Sequence, residues 1–336
     1  MSPSLPGCAR IAVTSGAVED GKGLEVGKRT TVVARTLLVV VLLLALLGTV
    51  GCKPSASGDK LKVVATIFPL ADFVKNVAGD KAEVVALLQP GDSPHTYEPS
   101  PDDMKSVAEA SLLVINGAGL DFWVEKVKSA ASPDLMVVDT SIIPAMEGAL
   151  LSGDEHESED TAHGGVNPHF WLDPVLAQKQ VEAIAAALVM VDPENKGFYL
   201  ANAAKYIGEL KSLDREIREE TDGFSTRSFI TFHPAWTYFA SRYGLTEAAV
   251  IEEAPGKAPT IDDIKRIVDV VRDLKVRAIF AEPQFNPAAA QRIAEDSGGD
   301  VRVLFLDPIG GADLPGRDSY IALMRYNVGQ MGEAMQ

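Results

Sequence analysis

Cysteine is almost missing from this chain of 336 residues: there are two, Cys8 and Cys52. Both fall in or beside an N-terminal segment built like a leader, which leaves the folded part without a disulfide or a cysteine metal site. Basic residues are also scarce, with 31 Lys and Arg against 47 Asp and Glu and a formal net charge of -16. A phosphate-binding surface needs a basic face, so nucleic acid is not an expected partner. The acidic balance permits a cation ligand without requiring one. Otherwise the composition is that of a globular protein, 46% hydrophobic and 23% charged, and the length suits two domains.

Lys28, Arg29 and Arg35 precede an apolar run from Leu37 to Val50. A basic flank, a short apolar stretch and then small residues form the layout of a secretory signal. The run has about 14 residues, against the roughly 20 of a spanning helix. It ends at Thr49-Val50-Gly51-Cys52, and Pro54-Ser55-Ala56-Ser57-Gly58 then reads as a flexible tether. The arrangement resembles a bacterial lipobox with Cys52 as the lipidated residue, although Thr49 stands where Leu is usual. The alternative is an uncleaved N-terminal anchor. Either way the folded part is expected outside the cytoplasmic membrane. Residues 1 to about 25 fit no region of a signal and carry no fold argument.

From Leu61 onward short β-rich runs alternate with helical stretches. Strands are expected at Leu61–Ile67, Glu83–Leu88, Leu112–Ile115 and Leu135–Val138, with helices at Leu70–Val77, Asp102–Ala110 and Asp121–Ser129. The alternation returns after residue 225. Strands are expected there at Phe229–Phe232, Ala248–Ile251, Ala278–Ala281 and Val301–Leu306, and helices at Ala235–Tyr243, Ile261–Leu274, Ala288–Glu295 and Ser319–Met335. This predicts an α/β fold of two lobes with parallel sheets.

Between the lobes, Asp173-Pro174 reads as an N-cap and first helical residue, opening a helix through Val189. Asp192-Pro193 repeats the signal. Tyr199, Ala203, Tyr206, Leu210, Leu213 and Ile217 then form one apolar stripe on a helix ending near Gly223. About 30 residues of helix would make a linker of roughly 45 Å. The expected organisation is a leader over 1–51, a tether over 52–60, a first lobe over 61–172, linker helices over 173–223 and a second lobe over 224–336. The segment 152–165 is acidic and bounded by glycines, and it should be a mobile surface loop.

Three of the five histidines have distinctive settings. His95 follows the strand ending at Leu88, His169 precedes the linker helices, and His233 follows the strand ending at Phe232. Asp307 follows the strand ending at Leu306. Ligands of open α/β sheets bind beyond the carboxyl ends of strands, so these four residues could meet in a cleft between the lobes. Three imidazoles and one carboxylate suit tetrahedral Zn²⁺ at about 2.0–2.2 Å, whereas Mn²⁺ prefers oxygen. Pro94, Pro168 and Pro234 stiffen the backbone beside each histidine. Taken singly, each histidine is more often a solvated or hydrogen-bonded residue than a ligand, and Asp307 before Pro308 could be a helix cap.

The strings Pro90-Gly91, Pro94-His95 and Tyr97-Glu98-Pro99-Ser100-Pro101, then Asn167 to Pro174, Ala281-Glu282-Pro283-Gln284-Phe285 and Leu306-Asp307-Pro308 occur in order along nearly all of the chain after Lys62. They resemble the zinc/manganese class of ABC-importer solute-binding proteins. The resemblance implies metal ligands at His95, His169, His233 and Asp307, and a long rigid helix joining the lobes around a metal in the cleft. Manganese-type members usually carry Glu where His233 stands, which points to Zn²⁺ as the transported ligand. Asn167 replaces the family's usual Asp at a position that is not a ligand.

Binding rather than catalysis is therefore expected, with a permease and its ATPase as partners, a lipid anchor on the membrane and a monomeric chain. Glu282 reads either as an acceptor orienting a ligand imidazole or as a structural residue. His156 and His163 on the acidic loop read either as weak accessory ligands or as parts of a solvated insertion. Tyr97, Trp171, Trp236 and Phe232 read as packing residues. Rival readings are a manganese or iron importer component, a secreted zinc hydrolase with Glu282 as base, and a surface adhesin. The hydrolase lacks the His-Glu-x-x-His helix of zinc proteases.

Overall fold

The alternating segments form two four-stranded sheets, both wholly parallel. A computed structural model describes residues 60–152, 165–253, 256–298 and 301–336. The leader, Cys52, and His156 and His163 of the acidic loop lie outside the described residues. The first sheet has β1 (Leu61–Ala65), β2 (Ala82–Ala86), β3 (Leu112–Ile115) and β4 (Met136–Asp139) in the order β2-β1-β3-β4. Parallel neighbours need crossovers, which are provided here by α1 (Phe68–Ala78), α2 (Pro101–Ala108) and α3 (Val124–Lys128). The second sheet repeats the order as β6-β5-β7-β8, with β5 (Ser228–Thr231), β6 (Thr246–Val250), β7 (Ala278–Ala281) and β8 (Arg302–Phe305). β3 reads Leu-Leu-Val-Ile and β7 reads Ala-Ile-Phe-Ala. Every residue of both is buried, as expected of inner strands covered on both faces.

Between the sheets in sequence lie α4 (Pro174–Val191) and α5 (Lys196–Asp222). Asp173 caps α4 as anticipated, its side chain accepting from Val175 N, with Pro174 in the first turn. α5 has 27 residues, which makes it ~40 Å long. All six residues of the predicted stripe, Tyr199 through Ile217, are buried. The second cap signal does not hold. Pro193–Asn195 forms a single 3-10 turn, and the Asp192 carboxylate instead accepts from Tyr199 Oη at 2.5 Å and Asn195 Nδ2 at 2.7 Å. Asp192 thus fixes the turn between the two helices rather than the start of α5.

The second lobe continues with α6 (Thr237–Tyr243), α7 (Ile261–Leu274), α8 (Ala288–Ser297) and α9 (Tyr320–Met335). Several predicted strand ends overshoot by one or two residues. Leu61–Ile67 stops at Ala65 because Pro69 already lies in the first turn of α1. Asp121–Ser129 shortens to Val124–Lys128, since the chain leaves β3 through Gly117, Ala118 and Gly119, all with positive φ.

Buried polar groups tie the two halves together. Asp72 of α1 accepts from Tyr206 Oη of α5 and from Tyr320 N at the start of α9, both at 3.0 Å. Trp171 Nε1 donates to Pro308 O at 2.8 Å, and Tyr320 Oη donates to Trp171 O at 2.6 Å. Each sheet changes direction between its two central strands, the place where open α/β sheets bind ligands. In the second sheet this gap lies between β5 and β7, which pair Ile230 with Ile279 and Thr231 with Phe280.

Candidate metal centre

The gap between β5 and β7 fixes the first pair of functional groups. His233 stands two residues past β5, and Glu282 stands one residue past β7. Adjacent parallel strands bring them together, and His233 Nδ1 lies 2.6 Å from Glu282 Oε1 with both side chains buried. Burial alone would push the imidazole pKa down. The facing carboxylate outweighs burial, so the His233 pKa is raised. Glu282 is itself pushed up by burial.

His169 arrives from the other side, on the loop that feeds α4. Asn167 Oδ1 accepts from His169 N at 3.0 Å and pairs with His169 Nδ1 at 2.9 Å. In the neutral imidazoles these two acceptors place the proton on Nδ1 and make Nε2 the acceptor nitrogen. His95 comes from the loop after β2. Its Nε2 is 3.0 Å from His169 Nε2, and His233 Nε2 is 3.2 Å from the same atom. A tetrahedral ion with bonds of about 2.0–2.1 Å would set neighbouring nitrogens roughly 3.3 Å apart. Two of the three nitrogen separations are thus close to that spacing, and all three nitrogens lie within 4.8 Å of one another. They line a cavity of about 10 Å³, room for a single water-sized sphere, together with Trp171, Glu282, Gln284, Phe285 and Ile309.

The proline beside each histidine does more than restrict φ. Pro94 O accepts from Trp123 Nε1 at 3.2 Å, Pro168 O from Asn116 Nδ2 at 2.9 Å, and Pro234 O from Asn167 Nδ2 at 2.8 Å. All three donor residues are buried. Each ligand loop is therefore held by a carbonyl next to its histidine. Tyr97 adds a further hold on the His95 loop, its Oη donating to Asp103 Oδ2 at 2.7 Å in the capping box of α2.

Asp307 is handled differently. The histidine nitrogens form a group with all ligand atoms within 4.8 Å of one another, and Asp307 is not in it. Its Oδ2 lies 2.8 Å from Arg317 Nη1. Its Oδ1 accepts from Ile309 N and Gly310 N, both at 3.0 Å, and from Gln284 Nε2 at 3.2 Å. The structure thus brings His95, His169, His233 and Glu282 together and leaves Asp307 at the edge of the centre, engaged elsewhere. Asn167, Asn116, Trp123 and Arg317 act here without having been anticipated as site residues. Only Asn167 left a trace in the sequence, two residues ahead of His169 inside a recognisable string. Trp171, Trp236 and Phe232 are buried packing residues, as expected.

Two α/β lobes with a three-histidine centre at their junction define a binding protein for a small metal cation. Comparison with known proteins gives the family. A family model described as the periplasmic component A of the zinc-uptake complex matches residues 63–334. The high-affinity zinc uptake system protein ZnuA of Bacillus subtilis is 32% identical over 305 residues, covering 88% of this chain and 94% of that protein. The manganese-binding lipoprotein MntA of Halalkalibacterium halodurans is 31% identical over 294 residues, covering 87% and 94%. The iron transporter lipoprotein MtsA of Streptococcus pyogenes serotype M1 is 31% identical over 321 residues, covering 92% and 99%. A crystal structure of a ZnuA superposes with a TM-score of 0.71 at 28% identity, covering 83% of this chain and 100% of that one. The chain belongs to this family of metal-binding, substrate-binding components of ABC importers. These are binding proteins, not enzymes, and Glu282, behind an imidazole, has no role as a hydrolytic base.

Proposed function

We propose that the chain captures Zn²⁺ outside the cytoplasmic membrane and hands it to an ABC permease, with Nε2 of His95, His169 and His233 as ligands. The observation that supports this most is the convergence of the three nitrogens at 3.0 and 3.2 Å, close to the separations in a tetrahedral zinc shell. A face made of imidazoles favours Zn²⁺ over Mn²⁺, which seeks oxygen. Asp307 is the carboxylate in reserve: it can complete the set when the ion displaces Arg317, and a water holds the fourth position on Zn²⁺ otherwise. Cys52 carries the lipid that keeps the monomeric chain at the outer membrane face, with a first lobe over 61–172, linker helices over 173–223 and a second lobe over 224–336. His156 and His163 offer weak additional capture. Docking on the permease loosens one lobe and frees the ion, and undiminished zinc delivery by a variant unable to dock would refute that step. A manganese or iron cargo is the second reading, favoured by the metals in the names of MntA and MtsA.

Calorimetric titration of metal-stripped residues 60–336 with Zn²⁺ and Mn²⁺, beside His233→Ala, tests the assignment. Tight one-site zinc binding, weaker manganese binding and loss of zinc affinity in the variant are expected. Tighter manganese than zinc binding, or indifference to His233, would reject it.

A further inference from the structure

We infer that Arg317 sets the metal selectivity of the centre by competing with the bound ion for Asp307. This deepens the zinc reading and rests on it.

Arg317 is placed with care. The chain from Asp307 to Arg317 closes on itself, Gly311 N donating to Arg317 O at 3.1 Å and Arg317 N donating to Leu314 O at 2.9 Å. Gly310 sits at φ +71°, where an added Cβ would stand 2.8 Å from Arg317 O, so this closure needs glycine. The backbone of Asp307 is clamped by Asn327, whose Oδ1 accepts from Asp307 N at 2.8 Å and whose Nδ2 donates to Asp307 O at 2.7 Å. The guanidinium lies 5.0 Å over the Tyr326 ring and 2.8 Å from the buried Oδ2. Three donors on Oδ1 leave Oδ2 as the oxygen open to a cation, and Arg317 occupies it.

Recruiting Asp307 to a metal therefore breaks a largely buried ion pair, which costs more than breaking an exposed one. Zn²⁺ gains least from that exchange, because three imidazoles and one water already give it four ligands. Mn²⁺ and Fe²⁺ need the oxygen more. Arg317 thus taxes the oxygen-seeking ions selectively. Two further oxygens on residues that line the cavity, Glu282 Oε2 and Gln284 Oε1, are buried without a hydrogen-bond partner. They can receive hydrogen bonds from a water on the fourth position of the ion.

The test is a competition titration of the full chain in detergent with Zn²⁺ and Mn²⁺ against a chelator, read as the ratio of the two dissociation constants. Arg317→Met keeps the contact with Tyr326 and frees Asp307. The manganese-to-zinc ratio should fall about tenfold, within the range that ligand-supporting residues command. Arg317→Lys should stay near wild type. Asp307→Asn alone should leave the ratio within twofold, and adding it to Arg317→Met should restore the wild-type ratio. An unchanged ratio in Arg317→Met overturns the inference, as does a drop that persists in the double variant, since removed charge rather than a recruited ligand then explains it. If Arg317→Met fails to fold, a large loss of zinc affinity in Asp307→Asn overturns it instead. A wild-type preference for Mn²⁺ would sink the zinc reading while the change caused by Arg317→Met still reports on Arg317.

Discussion

Replacing Glu282 with Gln should weaken zinc binding strongly near pH 7.5 and much less near pH 5.5. Glu282 Oε1 lies 2.6 Å from His233 Nδ1, and neither side chain is more than 4% exposed. The carboxylate does two opposing things. It makes His233 a more basic ligand, and outer partners of this kind are worth about 10–100-fold in metal affinity, or roughly 1.4–2.8 kcal/mol. It also raises the His233 pKa against the pull of burial, so protons compete with the metal at a higher pH than they otherwise would. With an amide in its place, the main force opposing burial is gone and the imidazole pKa falls. At pH 7.5 only the loss of basicity counts, and affinity should drop by about 10–100-fold. At pH 5.5 the variant's His233 resists protonation better than that of the wild type, which returns part of the loss. A competition titration against a chelator across this pH range reads both limbs. A loss of equal size at every pH, or none at pH 7.5, would refute the coupling of Glu282 to the ligand.

Asn167→Asp puts a charge behind His169 where this chain has a neutral amide, and should tighten zinc binding up to about tenfold at pH 7.5. Weaker binding in the same titration would show that the Asn167 Nδ2 bond to Pro234 O matters more than ligand basicity. Burial raises Glu247 from 4.5 to about 7. The metal-free fold therefore holds this proton when the unfolded chain has lost it, and stability falls as pH rises from 4.5 through 7. The full penalty is on the order of 3 kcal/mol, and Glu247→Gln should flatten the thermal-melting profile over that range. An unchanged slope would count against it. Trp123→Phe leaves Pro94 O without its donor and frees the His95 loop. Zinc release in stopped flow should quicken several-fold with a stability loss of about 1 kcal/mol, and an unaltered release rate would mean that this loop does not gate exit.

Much of the fold was legible because each element carries its own period. Leu112–Ile115, Ala278–Ala281 and Ile261–Leu274 were bounded correctly from the spacing of their apolar residues, and the structure shows Thr260 closing a capping box with Asp263 ahead of the helix. The stripe on α5 was readable because burial on one face leaves a spacing of three and four. The histidines were legible as candidates because strand ends in such sheets collect ligands. Asp307 was not, in its actual state. Asp-Pro after a strand reads as a cap or a ligand, whereas its carboxylate is held by Arg317 ten residues on, through a loop with no periodicity to betray it. The donors Trp123 and Asn116 were equally hidden, since each acts on a carbonyl far from it in sequence.

That hidden layer decides how the centre works. His169 and His233 are 2% and 3% exposed, and the carbonyls of Pro168 and Pro234 beside them are bound by buried amides. Asn167 serves both, orienting His169 while its amide holds Pro234 O, so these two imidazoles form one rigid unit. His95 is the least buried of the three histidines, on a loop held through Trp123 and Tyr97. Asp72, Trp171 and Tyr320 cross between the halves through buried hydrogen bonds, and separating the lobes would break all of them together. The His95 loop is held chiefly through Trp123 and Tyr97, and neither of those bonds crosses between the halves. On the proposed reading, docking therefore frees the ion by loosening the first lobe at the His95 loop, while the preorganised His169–His233 pair supplies the tight hold beforehand.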